Sequence, residues 1–211
     1  MIGIIDYRTG NSQSISYALE HLGVPHALVA KPGECDEVDK YILPGVGAAG
    51  VTMESLAQEG WIDHLNEKVI GDGQGFLGVC VGLQVLFEHS AEGDVECLGW
   101  LQGSVHEFDN SQVRVPHMGW NNVDVRGDHP FSRAFTPGGF YYFVNSFYAR
   151  PTEDSALVGV TTYGQEFAAA VAHKNIMATQ FHTEKSARAG LQVLKSFCDL
   201  SAQDLKDLDA R

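Results

Sequence analysis

Basic residues are scarce in this chain: 14 Lys and Arg stand against 27 Asp and Glu, a formal charge of −13 over 211 residues. A surface so acidic repels polyanions, which argues against nucleic acid and anionic membrane as main partners. Long apolar runs are missing too. No stretch approaches the roughly 20 residues of a membrane span, and Met1-Ile2-Gly3 opens into strand-like sequence rather than a signal peptide. Cysteine is limited to Cys35, Cys80, Cys97 and Cys198, with no C-x-x-C. A reduced, cytoplasmic protein is the expectation. The nine histidines form no H-x-x-x-H, so no metal site is expected. His182-x-Glu184 matches half of a zinc deaminase signature, but the P-C-x-x-C half is absent.

What is present suits a globular α/β protein. Apolar residues make up 44% of the chain, enough for one domain over residues 1–200 with a sizeable core. Residues 201–211 read as a polar tail that is free to fray. Apolar runs at Ile2–Asp6, His26–Ala30 and Tyr41–Leu43 (closed by Pro44-Gly45), then at Phe76–Val79, predict strands. Helical spacing is seen at Ser12–Leu22, Thr52–Gln58 and Ile62–Ile70. This β-α alternation predicts a mostly parallel sheet flanked by helices. From Gly103 to Asn175 the signals change to antiparallel ribbons: Ser104–Phe108, Val123–Val125, Phe140–Tyr148, Leu157–Thr162 and Ala168–His173. Ile176–Phe181 reads as a further strand. Ser186–Leu200 closes the pattern as an amphipathic helix, with Leu191, Leu194, Phe197 and Cys198 inward.

Two short segments carry chemistry. Gly78-Val79-Cys80-Val81-Gly82 has the form of a nucleophile elbow with cysteine as nucleophile. Leu83, Val85, Leu86 and Phe87 then fit the apolar side of a helix. At a helix N-terminus, backbone N–H groups favour a thiolate, and the N–H of Val81 is placed to meet an oxyanion. Taken alone, the motif also admits a buried core cysteine in a glycine-rich turn as the lesser alternative. About a hundred residues on stand His182-Thr183-Glu184. In an extended chain the histidine and glutamate share a side. The imidazole can then take a thiol proton while the carboxylate holds its other nitrogen. A structural histidine at a strand end is the bland alternative.

Pro44-Gly45-Val46-Gly47 follows a strand end, where a glycine-rich loop belongs near a ligand and can supply a second oxyanion donor. It lacks the G-K-[ST] ending of a phosphate loop. Val115–Asn121 and Tyr141–Tyr148 are rich in aromatics, suited to core packing or to an interface.

These segments, with Asp6-Tyr7, Gly10-Asn11, Gln84, Val115–Asn121, Tyr142-Phe143-Val144 and Gln180-Phe181-His182 with Glu184-Lys185-Ser186, resemble the class I, or triad, glutamine amidotransferase family over roughly Ile2–Leu200. Within it, the P-G-V-G and P-H-M-G-W-N segments are similar to the glutaminase subunits of imidazole glycerol phosphate synthases. The resemblance implies a flavodoxin-like fold, with antiparallel elaboration of the sheet. It implies Cys80 as nucleophile, His182 as base and Glu184 as its orienter, with Val81 and Val46 as oxyanion donors, the latter after a peptide flip. Gly47, Gln84, Glu92, Ser146 and Phe147 are implied as glutamine contacts. No cofactor is implied. The implied partner is a (β/α)8-barrel cyclase that receives the ammonia and makes imidazole glycerol phosphate and an aminoimidazole carboxamide nucleotide. Asn11, Pro116, His117, Met118, Trp120, Tyr142 and Lys185 match its interface positions.

The chain departs from the family pattern at Thr183, where proline is usual, at Asn145 and Phe147, where histidine and tyrosine are common, and at Arg8-Thr9 and Ser12. The residues alone leave other readings open. One is a paralogue feeding ammonia to a different acceptor, such as a surface-sugar amidotransferase. Others are a catalytically silent binding partner and a cysteine peptidase of similar architecture.

Overall fold

A computed structural model describes residues 1–7, 11–34 and 37–209. Arg8, Thr9, Gly10 and Cys35, singled out above, lie outside the described residues.

In chain order the strands are β1 (Ile2–Ile5), β2 (His26–Val29), β3 (Lys40–Gly45), β4 (Gly75–Cys80), β5 (His89–Ser90), β6 (Val95–Glu96), β7 (Gly103–Glu107), β8 (His117–Asn122), β9 (Asp124–Val125), β10 (Phe140–Asn145), β11 (Phe147–Pro151), β12 (Leu157–Tyr163), β13 (Gln165–His173) and β14 (Ile176–Thr179). The helices are α1 (Ser12–His21), α2 (Ala49–Gln58), α3 (Trp61–Leu65), α4 (Val81–Gln84), α5 (Ala187–Cys198) and α6 (Ala202–Asp209). A π-helical turn over Asn66–Gly71 extends α3.

An eight-stranded sheet runs in the order β2-β1-β3-β4-β14-β13-β12-β9. Its first five strands are parallel, in the arrangement of flavodoxin-like sheets. They are nearly continuous apolar runs: β1, β3, β4 and β14 are buried at every position, as expected for strands covered on both faces. β13, β12 and β9 continue the sheet antiparallel. β8 and β10 form a separate ribbon, and β11-β7-β5-β6 a small third sheet.

Several expectations are corrected. β3 runs through Pro44-Gly45 instead of stopping before them, with Gly45 opposite Cys80. The helix after Cys80 is a single turn. Val85, Leu86 and Phe87 are all fully buried, so they do not form one face of a longer helix. Their carbonyls instead accept from the N–H groups of Leu98, Leu101 and Gly99. The run Phe140–Tyr148 breaks at Ser146 into strands of two different sheets. On α5 the buried set is Gly190, Val193, Leu194 and Phe197, with Leu191 and Cys198 at its flanks.

Residues 202–209 do not fray but form α6, with Leu205 and Leu208 buried in the core. Its base is fixed by a buried lysine. Lys40, at the start of β3, donates from Nζ to the carbonyls of Cys198 and Leu200, both at 2.5 Å, and so satisfies the last carbonyl of α5 and one in the connection to α6. No helix among the described residues is long and apolar enough to cross a membrane.

Candidate active site

β4 delivers Cys80 at the carboxyl edge of the parallel sheet, where such folds bind ligands. Its backbone is held at φ 58° and ψ −107°, a conformation that costs a non-glycine residue about 1–3 kcal/mol. Two close approaches impose it. A Cβ on Gly78 would lie 2.3 Å from the Gly82 carbonyl oxygen, and one on Gly82 would lie 2.1 Å from the Leu43 carbonyl oxygen. The strand-to-helix turn closes only because both positions are glycine. Since α4 is one turn long, its dipole is that of a few N–H groups at Val81 and beyond, not of a long helix.

His182 follows β14, the strand beside β4. Its backbone N–H donates to the Tyr142 carbonyl at 3.0 Å, and its own carbonyl accepts from Ser186 Oγ at 2.6 Å. Ser186 Oγ in turn accepts from the Tyr142 N–H at 2.9 Å. The segment is not extended: Thr183–Lys185 is a 3-10 turn. That turn, rather than strand alternation, swings Glu184 Oε1 to within 2.9 Å of His182 Nδ1. Both side chains are buried, 3% and 2% exposed. Asn11 Nδ2 donates to the same Glu184 oxygen at 2.6 Å. Among the described residues no partner reaches Glu184 Oε2. Thr183, in place of proline, is fully buried, and among the described residues its hydroxyl has no partner.

Burial alone would push the His182 pKa down. Hydrogen bonds to Cys80 and Glu184, with the charges of both, outweigh it and raise the value to about 10. The imidazolium form of His182 is therefore favoured. By contrast, burial pushes Cys97 up to about 11 and Cys198 up to about 12, which makes both poor nucleophiles. These three cysteines are unpaired.

Cys80 and His182 open into a cleft of about 500 Å³. Val46, Gly47, Val81, Gln84, Glu92, Ser146, Phe147, Pro116 and Lys185 line it with them, so residues far apart in sequence meet at one place. Glu92 Oε2 accepts from the Ala49 N–H at 2.9 Å. Gln84 donates from Nε2 to the Phe147 carbonyl at 3.0 Å and to Gln180 Oε1 at 3.1 Å. Its amide N–H groups thus hold the wall. Asn145 also donates to the Phe147 carbonyl, at 2.9 Å.

The expected interface positions divide. Met118 and Trp120 are 64% and 52% exposed, and the Trp120 ring meets half-buried Tyr142 at 5.9 Å. His117 is not on the surface: β8 alternation turns it inward, 4% exposed, stacked between Tyr163 at 4.1 Å and Phe143 at 5.0 Å. Asn11 spends its side-chain amide on Glu184. Gln180, fully buried, was given no role by its sequence context, yet it donates to Cys80 Sγ at 3.7 Å. Only its place two residues before His182 hinted at this.

A profile for Glutamine amidotransferase class-I matches residues 3–199. Imidazole glycerol phosphate synthase subunit HisH of Bacillus subtilis is 39% identical over 96% of this chain and 98% of its own length. That of Sulfurimonas denitrificans is 41% identical over 93% and 97%. The chain belongs to the HisH family of class I glutamine amidotransferases. Among solved structures, PurLQS from Thermotoga maritima superposes with a TM-score of 0.73 at 22% identity, over 93% of this chain and 96% of that one. A further glutamine amidotransferase gives 0.72 at 17%, over 100% and 99%. At such identities the structural likeness speaks for the class I fold alone. As a HisH-family member, the chain is an amidotransferase of histidine biosynthesis.

Proposed function

We propose that this chain hydrolyses glutamine with a Cys80–His182–Glu184 triad and hands the ammonia to a (β/α)8-barrel cyclase, as a cytoplasmic heterodimer with it. The observation that carries the reading is a strained Cys80 sharing one cleft with a buried, Glu184-bound His182. Family membership supplies the substrate.

In this reading the Cys80 sulfur attacks the side-chain amide carbon of glutamine, and the carbonyl electron pair moves to oxygen. The Val81 N–H, and that of Val46 once its peptide turns inward, receive that charge. His182 gives its proton to the amide nitrogen, the C–N bond breaks and ammonia leaves. A water then adds to the thioester, losing its proton to His182, and the S–C bond breaks to release glutamate. Glu184 keeps the imidazole oriented throughout. The Glu92 carboxylate suits the substrate ammonium, with Gly47, Gln84, Ser146 and Phe147 shaping the remaining wall. Pro116 and Lys185 at the cleft, with Met118, Trp120 and Tyr142 on the ribbon, form the face offered to the cyclase.

The test is glutamate release from glutamine by the chain alone, then with a barrel cyclase and its nucleotide ligand. Stimulation by the liganded cyclase is expected. Cys80→Ala should abolish it, by about 10⁴-fold or more, while ammonia-driven synthesis by the complex survives. Absence of both a complex and stimulation would overturn the reading in favour of a different acceptor enzyme or a silent partner.

A further inference from the structure

The mechanism above leaves one buried polar group beside the nucleophile unused. Gln180 is fully buried, and its Nε2 lies 3.7 Å from Cys80 Sγ. The direction of its amide is dictated by a chain of partners that ends on a peptide carbonyl. The Phe147 carbonyl can only accept, so the Gln84 group facing it, at 3.0 Å, is the NH₂. That same NH₂ meets Gln180 at 3.1 Å, so Gln180 must present its oxygen there. A flipped Gln180 would set two donors against each other in a dry interior, leaving both unsatisfied. What remains for the sulfur is the Gln180 N–H.

We propose that Gln180 is a positioning residue for Cys80, presenting an N–H to the sulfur through a hydrogen-bonded relay anchored on the Phe147 carbonyl. The proposal rests on the glutaminase reading for its place in the cycle. The N–H supports the sulfur whenever it carries the electron pair: before attack, and again when the S–C bond of the thioester breaks and sulfur departs with that pair. No proton moves to or from Gln180. The relay's far end is the break between β10 and β11, the segment that also lines the cleft. Wall and nucleophile are thereby one unit.

Gln180→Met keeps the shape and removes the donor. The first readout is the alkylation rate of Cys80 by iodoacetamide at neutral pH, followed by mass spectrometry of its peptide in the full chain. A fall of about ten-fold is expected, equivalent to about 1.4 kcal/mol. The second is glutamine turnover with the cyclase, where kcat should fall by a similar factor with KM little changed. Gln84→Met, which frees Gln180 to turn, should slow alkylation in the same direction by less. If Gln180→Met does not fold, as judged by its melting transition, Gln180→Leu supplies the same alkylation comparison. Alkylation of the folded variant at the wild-type rate overturns the proposal. Because alkylation needs neither glutamine nor a partner, failure of the glutaminase reading would appear separately, as absent turnover in the unmodified protein.

Discussion

Two regions place their candidate functional residues by different means. In the parallel half of the large sheet, functional groups sit at strand ends and depend on where the backbone stops: Cys80 at the end of β4, Val46 and Gly47 just after β3, His182 just past β14. In the β8–β10 ribbon they sit along strands and depend on alternation, with His117 turned in and Met118 and Trp120 further along turned out. The first region tolerates almost no change in main-chain spacing, because Gly78, Gly82 and Leu43 are already in contact. The second can exchange outward side chains without disturbing inward ones. On the proposed reading, chemistry is lodged where the backbone is over-determined, and cyclase recognition where outward side chains are not locked by packing.

The sharpest way to break this contrast is Gly82→Ala. A methyl 2.1 Å from the Leu43 carbonyl oxygen should cost roughly 3 kcal/mol or more. It should also disable Cys80, read by the melting temperature together with alkylation of the cysteine. On the ribbon, Trp120→Ala should leave the melting temperature nearly unchanged. It should weaken cyclase binding by about ten- to a hundred-fold, measured by titration calorimetry.

A pH series sharpens the parallel side. The folded His182 value, about 10, exceeds the ordinary 6.5. Its contacts therefore contribute fully to stability below the unfolded value, and that contribution is lost as pH rises through the folded one. Melting temperatures from pH 6 to pH 10.5 should decline more steeply for the wild type than for His182→Asn. The smallest effect is expected at Thr183→Val. Removing a buried hydroxyl that has no partner among the described residues should raise stability by about 1 kcal/mol, detected by denaturant unfolding.

Much of this was legible in the sequence, for identifiable reasons. Parallel strands buried on both faces leave unbroken apolar runs, so β1, β3, β4 and β14 stood out. The elbow glycines announced a contact that only hydrogen side chains permit. What escaped depended on partners distant in the chain. The run Val85–Phe87 has helical character until the carbonyls are seen to pair with residues 98–101. Phe140–Tyr148 reads as one strand because nothing at Ser146 marks a change of sheet. The polar look of residues 201–211 concealed Leu205 and Leu208, two apolar residues at helical spacing with a core beneath them. In the site, the cleft-lining residues come together as their family resemblance implies. His117 and Asn11 turn elsewhere, and Gln180 acquires its role only through Gln84 and Phe147.

The buried ammonium of Lys40 has a mechanical consequence. In register, Lys40 pairs with Gly75 at the start of β4, while Gly45 pairs with Cys80 at its end, so the lysine marks the edge of the sheet opposite the nucleophile. The helix it grips, α5, begins immediately after the turn that carries Glu184 and is packed so tightly there that a Cβ on Gly190 would lie 2.1 Å from the Thr183 carbonyl oxygen. That helix is a strut pinned at both ends. One pin is a lysine at the far edge of the sheet, and the other is the turn that carries Glu184, the orienting carboxylate of the proposed triad.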